Sequence, residues 1–156
     1  MRSVDMSGAN ILLGEGNPDD AELTLQALRQ KDGKIDHQVF HVEDGMQAVE
    51  FIFGTGAYAN RDTMGGIKVV LLDLKLPVLD GLDVLRRIKG DERTRSIPVV
   101  MLAPSTEARD MRDAYALGAN GYVVKPVGFT EYMKRISAVC LYWTSHNHSI
   151  LQSPAA

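Results

Sequence analysis

Three residues scattered along the 156-residue chain have the charges and placement to handle a phosphoryl group or a hard metal ion: Glu15, Asp73 and Lys125. Asp73 directly follows Ile67, Val69, Val70, Leu71 and Leu72, a β-branched-rich apolar run of the kind buried on both faces of a parallel sheet. Glu15 follows Ile11, Leu12 and Leu13, inside Gly14-Glu15-Gly16, and Lys125 follows Gly121 to Val124. All three therefore stand at the carboxyl ends of expected strands, where open α/β sheets bind ligands. Two neighbouring carboxylates make a hard-oxygen pocket suited to Mg²⁺, and one ammonium suits the oxygens of a transferring phosphoryl group. Taken alone, each acid is as well explained as a turn or capping residue. Their shared position is what gives them weight.

The elements that must carry them follow in order. Asn17 as N-cap, Pro18 at the first helical position, and Asp19 and Asp20 against the dipole predict a helix over about 18–31, with Ala21, Leu25 and Leu28 inward. Dipole compensation is the main role expected of Asp19 and Asp20; reaching into the rim is the lesser one. Asp32-Gly33-Lys34 breaks the chain before a second strand over 38–42, and Asp44 caps a helix that Gly54 ends. Residues 55–66 form a long connection, either a partner-contact loop or slack. Leu82, Leu85 and Ile88 mark a third helix, 97–102 a fourth strand, and Ser105 or Thr106 the start of a helix carrying Met111, Ala114, Tyr115 and Leu117 up to Gly118. After the strand 121–124, a last helix over about 130–142 lines up Met133, Ile136, Val139, Cys140 and Trp143.

Five strands, each followed by a helix, predict an α/β fold of flavodoxin-like (βα)5 type: a parallel sheet in order 2-1-3-4-5 with helices on both faces. That order makes Glu15 and Asp73 neighbours. The expected division is a disordered lead over 1–8, one domain over 9–144 and a polar tail over 145–156, with no room for an output domain.

A hydrophobic fraction of 45%, a charged fraction of 24% and a net charge of -3 fit an ordinary globular chain and give no basic surface for nucleic acid. The lone Cys140 excludes an intrachain disulfide and reads as inert packing, and no apolar run suggests a membrane span or signal peptide. A cytoplasmic location is expected. Gly14-Glu15-Gly16 is only a G-x-G, and no GxxxxGK[ST] loop occurs, so a nucleotide enzyme is disfavoured. His146 and His148 read as solvated tail residues rather than a metal pair.

The blocks ILLGEGNPDD, VVLLDLKLPVLDG, PVVML and GANGYVVKP, over roughly residues 9–140, resemble the response-regulator receiver family of two-component signalling. The layout is similar to single-domain regulators of phytochrome-like histidine kinases. The resemblance implies that Asp73 accepts a phosphoryl group in a phosphorelay and that Lys125 contacts its oxygens. It further implies Mg²⁺ held by Glu15, Asp73 and the Lys75 carbonyl, Tyr122 as an aromatic switch, and a cis peptide before Pro126. A receiver is a phosphoacceptor rather than an enzyme.

Two positions depart from the family pattern. Gly16 replaces the second acid, a direct metal ligand, and Ala103 replaces the hydroxyl that binds the phosphoryl oxygen. The expectation is a weakly metal-binding phosphorylatable receiver; the alternative is a degenerate receiver that docks proteins independently of phosphorylation. Ala138, Leu141 and Tyr142 give the last helix a second apolar face, which predicts a homodimer.

Overall fold

The computed structural model describes residues 9–29, 38–61, 66–104, 107–125 and 128–148. Five strands, β1 (Ala9–Gly14), β2 (Gln38–Val42), β3 (Val69–Asp73), β4 (Val99–Ala103) and β5 (Gly121–Val124), form one parallel sheet in the order β2-β1-β3-β4-β5. The helices are α1 (Pro18–Leu28), α2 (Gly45–Phe53), α3 (Gly81–Lys89), α4 (Ala108–Ala116) and α5 (Phe129–Leu141). The expected architecture and strand order are the observed ones.

Strand alternation sends side chains to two separate cores. Ile11, Leu13, Val69, Leu71, Val100 and Leu102 meet α1 and α5 through Ala27, Leu28, Tyr132, Ile136 and Cys140. Leu12, Val70, Leu72, Val99 and Met101 meet α2, α3 and α4 through Phe51, Ile52, Leu85, Ile88 and Ala114. Since every residue of β3 and β4 is buried, the continuous apolar runs have both faces to fill.

Several local expectations hold in detail. Asn17 Oδ1 accepts from the backbone N–H groups of Asp19 (2.8 Å) and Asp20 (3.2 Å), and Asp44 Oδ1 accepts from Gln47 N–H at 2.8 Å. Others need correction. In α1 the buried polar position is Thr24, whose hydroxyl bonds the Asp20 carbonyl at 3.0 Å and the Tyr132 hydroxyl at 2.7 Å, while Leu25 is only partly buried. In α4 Ala114 is buried but Tyr115 is half exposed, because it lies 100° round the helix from Ala114. After α5 the chain winds on through a π turn, Tyr142–His146, where Thr144 is buried and its hydroxyl bonds the Cys140 carbonyl at 2.5 Å. The expected breaks at Asp32-Gly33-Lys34, the helix start at Ser105 or Thr106 and the cis bond at Pro126 fall outside the described residues. Among the described residues, no helix is long and apolar enough to cross a membrane.

Candidate functional site

Register brings the acids together. Gly14 pairs with Leu72 across β1 and β3, so the next residues, Glu15 and Asp73, emerge side by side at the carboxyl edge. Asp73 in turn pairs with Leu102 of β4, and Ala103 pairs with Val124 of β5, one residue before Lys125. Because β4 separates β3 from β5, the lysine stem crosses the end of β4 to reach Asp73. The fully buried Ala103 lies at that crossing and accepts the Lys125 backbone N–H at 2.7 Å.

The Lys125 ammonium is the centre of the rim. It lies 2.6 Å from Glu15 Oε1, 2.8 Å from Asp73 Oδ1 and 3.2 Å from Asp20 Oδ2. The contacts to Glu15 and Asp20 are aligned hydrogen bonds; Asp73 Oδ1 is buried without one, so its tie to the ammonium is a charge contact. Glu15 is 1% exposed, Asp73 6%. Backbone hydrogen bonds fix the two strand ends: Glu15 N–H bonds the Val42 carbonyl at 3.1 Å, and Leu74 N–H bonds the Leu102 carbonyl at 2.9 Å.

Burial, then the neighbouring Glu15, pushes the Asp73 carboxyl up to about 8, with Lys125 opposing. Burial alone would lower the Lys125 ammonium, but Asp73 and Glu15 outweigh it and raise the lysine above its ordinary value. The rim thus carries three carboxyl groups around one firmly protonated cation, an excess of negative charge that a hard cation would relieve.

The donor chemistry, hard oxygens with an excess of negative charge, is of the kind that divalent cations take. The oxygens are presently gathered on the ammonium, and among the described residues no group of three or more His, Cys, Asp or Glu is arranged to hold a metal ion.

The remaining expected residues surround this centre unequally. Lys75 is exposed in the β3–α3 loop. That loop is pinned at Gly81, where a Cβ would come within 2.1 Å of the Asp73 carbonyl oxygen, so only glycine lets α3 start against the strand end. At its tip Val78 has φ 68, with Leu79 N–H bonded to the Pro77 carbonyl at 2.7 Å, a strained γ-turn. Gly16 does not occupy the left-handed region; its restriction is space, since a Cβ would lie 2.8 Å from Pro77 Cδ and 3.3 Å from the Glu43 carbonyl oxygen. Gly16 and Glu15, with Pro18, His41 and Glu43, line a cavity of about 280 Å³ beside the rim, away from Asp73 and Lys125.

Tyr122 is partly buried on β5 and packs against the same core as Met101 and Ala103. Burial, followed by Asp110 and Glu107 of the α4 side, raises its phenol. Ala138 and Leu141 on α5 and Tyr142 at the start of the π turn are all exposed, with the Tyr142 ring edge-on to Trp143 at 5.0 Å. Asp20 is the rim residue that the sequence pointed to least. Its signal was position: three residues after an Asn N-cap, it faces the sheet edge while Asp19 stays exposed.

The family model "Response regulator receiver domain" matches residues 17–137. A probable methanogenesis regulatory protein, FilR2 of Methanothrix harundinacea, is 36% identical over 144 residues, covering 89% of this chain and 86% of its own. The phosphorylated cyanobacterial phytochrome response regulator RcpA is 33% identical with a TM-score of 0.82, over 90% of this chain and 96% of its own. The Mn²⁺-bound form of response regulator Rcp1, a protein of Synechocystis sp., is 31% identical with a TM-score of 0.81, over 93% and 98%.

Proposed function

The chain belongs to the response regulator receiver family, and from that premise we propose that it is a single-domain regulator whose Asp73 accepts a phosphoryl group from a histidine kinase. The observation that carries this is the buried Asp73 carboxyl at the end of β3, whose Oδ1 lies 2.8 Å from the Lys125 ammonium. In the transfer, the Asp73 carboxyl, once its proton has left to solvent, forms a bond to phosphorus as the phosphorus–nitrogen bond of a phosphohistidine breaks. The bonding pair leaves with the imidazole, which takes up a proton. Lys125 then neutralises phosphoryl oxygen charge, so the protein contributes positioning and electrostatics. A divalent cation, when bound among Glu15, Asp73 and the Lys75 carbonyl, would supply further charge neutralisation between the two anions. The chain is a phosphoacceptor and not an enzyme in the ordinary sense.

The missing groups set the rate and the readout. With glycine at 16 and Ala103 in place of a hydroxyl, phosphorylation should be slow and dependent on high Mg²⁺, and its coupling to Tyr122 weak. The likeness to regulators named for phytochromes supports a phytochrome-like kinase as the partner. The exposed Ala138, Leu141 and Tyr142 support a two-fold dimer through α5; light scattering should give a dimer at tens of micromolar, and a monomer there refutes it.

Incubation with acetyl phosphate and Mg²⁺ should add one phosphoryl group to the intact mass, and Asp73→Asn should abolish the addition. Unchanged mass under forcing conditions, with circular dichroism intact, favours the second reading, a docking module that works without phosphorylation. Gly16 and Ala103 are the observations on its side.

A further inference from the structure

A pair of buried hydroxyls joins α1 to α5 close to the rim. Thr24 of α1 is 0% exposed and Tyr132 of α5 is 4% exposed, and their oxygens lie 2.7 Å apart. The Thr24 hydroxyl donates its single proton to the Asp20 carbonyl at 3.0 Å, so Tyr132 is the donor to Thr24. The bonds therefore run one way, from α5 through α1 to the backbone of Asp20, whose own carboxylate lies 3.2 Å from the Lys125 ammonium. Burial raises the Tyr132 phenol above its ordinary value, and the charges of Lys125, Glu15 and Asp73 all act on it, so the pair stands within the field of the rim. A phenylalanine would fill the same space without a polar group to satisfy, so packing does not account for the hydroxyl.

We propose that the Thr24–Tyr132 pair passes the phosphorylation state of Asp73 to α5, by a route that bypasses the hydroxyl missing at Ala103. This rests on the reading of Asp73 as the phosphoacceptor. A phosphoryl group on Asp73 adds negative charge beside Asp20 and draws Lys125 to its oxygens. Asp20, the most exposed of the three acids and the farthest from the ammonium, gives up its cation first. Repulsion then moves the first turn of α1 outward. Thr24 and Tyr132 have no water to turn to, and an unsatisfied buried hydroxyl is costly, so their bond holds and α5 is drawn along with α1. Farther along the same two helices the Ser137 hydroxyl donates to the Ala27 carbonyl at 3.2 Å, which confines the motion to the first half of α5.

The test compares amide hydrogen exchange of the full chain, read by peptide mass, before and after incubation with acetyl phosphate and Mg²⁺, with occupancy taken from the intact mass. In the wild type, peptides from the first half of α5 should exchange about three-fold faster once Asp73 carries the group. Tyr132→Phe should gain the same mass and lose this response, and Thr24→Val, which cuts the bond from its other side, should do likewise. Thr24→Ser, which keeps the hydroxyl, should retain the response, as should Tyr122→Phe. Survival of the response in Tyr132→Phe or Thr24→Val, each shown folded by circular dichroism, overturns the proposal. So does its loss in Thr24→Ser or Tyr122→Phe, or its absence from the phosphorylated wild type. A wild type that gains no mass fails the phosphoacceptor reading, and the route falls with it; a wild type that gains mass without the α5 response fails the route alone.

Discussion

Two acid–cation pairs in this protein have nearly the same separation and opposite protonation behaviour. In the open turn after α3, Asp91 Oδ2 lies 2.9 Å from Arg93 Nη2, and Asp91 Oδ1 also accepts from Arg93 Nε at 3.1 Å and from its backbone N–H at 2.8 Å. Those bonds hold the Asp91 carboxyl down to about 2. At the rim, Asp73 lies 2.8 Å from Lys125, yet burial and Glu15 push it up to about 8. The difference is what surrounds each pair. Arg93 is 73% exposed and serves one acid through aligned donors, whereas Lys125 is shared by three acids in a space that water barely enters. Proximity of opposite charges is thus a poor guide to stabilisation, and a buried acid kept poorly neutralised is poised for a ligand.

The contrast can be broken most sharply at its cation. Lys125→Met leaves three acids facing each other and should destabilise the fold by about 3 kcal/mol at pH 8, with a smaller loss at pH 5, where Asp73 keeps its proton. Urea denaturation at the two pH values measures both.

Asp73→Asn should act in the opposite direction, stabilising by about 2 kcal/mol at pH 8 in the presence of a chelator. Between roughly pH 4 and 8 the folded state retains a proton on Asp73 that the unfolded state has lost, so wild-type stability falls as pH rises through that window and levels off above it. The variant removes this slope. A wild-type curve that rises over the same range contradicts the buried-acid account.

Smallest of all is the surface pair. Arg93→Ala should leave the urea midpoint unchanged at both pH values, because an exposed ion pair contributes little. A loss comparable with that of Lys125→Met would erase the contrast.

How much of this was legible in the sequence differs from one part of the rim to the next. Glu15, Asp73 and Lys125 follow apolar runs whose period and length identify buried strands, and strand order then fixes their neighbourhood. For Asp20 the sequence favoured dipole compensation over a reach into the rim and did not separate it from Asp19, because helix phase relative to the sheet edge is set by packing of α1 on α5 and not by local pattern. The γ-turn at Val78 was invisible for a stronger reason: β-branched residues avoid positive φ, and here the loop is held by Gly81 against Asp73 and by Gly45 N–H bonded to the Pro77 carbonyl at 3.1 Å. The π turn after α5 likewise depends on Thr144 bonding the Cys140 carbonyl and on Lys68 Nζ donating to the Thr144 carbonyl at 3.3 Å, a contact 76 residues apart. At Gly16 the sequence showed the absent acid, while the obstruction by Pro77 required coordinates.

Chemical trapping of the phosphorylated residue reads the role of Asp73 directly. After incubation with acetyl phosphate and Mg²⁺, borohydride reduces an aspartyl phosphate to homoserine, which peptide mass mapping locates. A phosphoacceptor Asp73 gives homoserine at position 73 and at no other position; homoserine at Asp19 or Asp20 in its place, or no reduced residue while the protein remains folded, rules that role out.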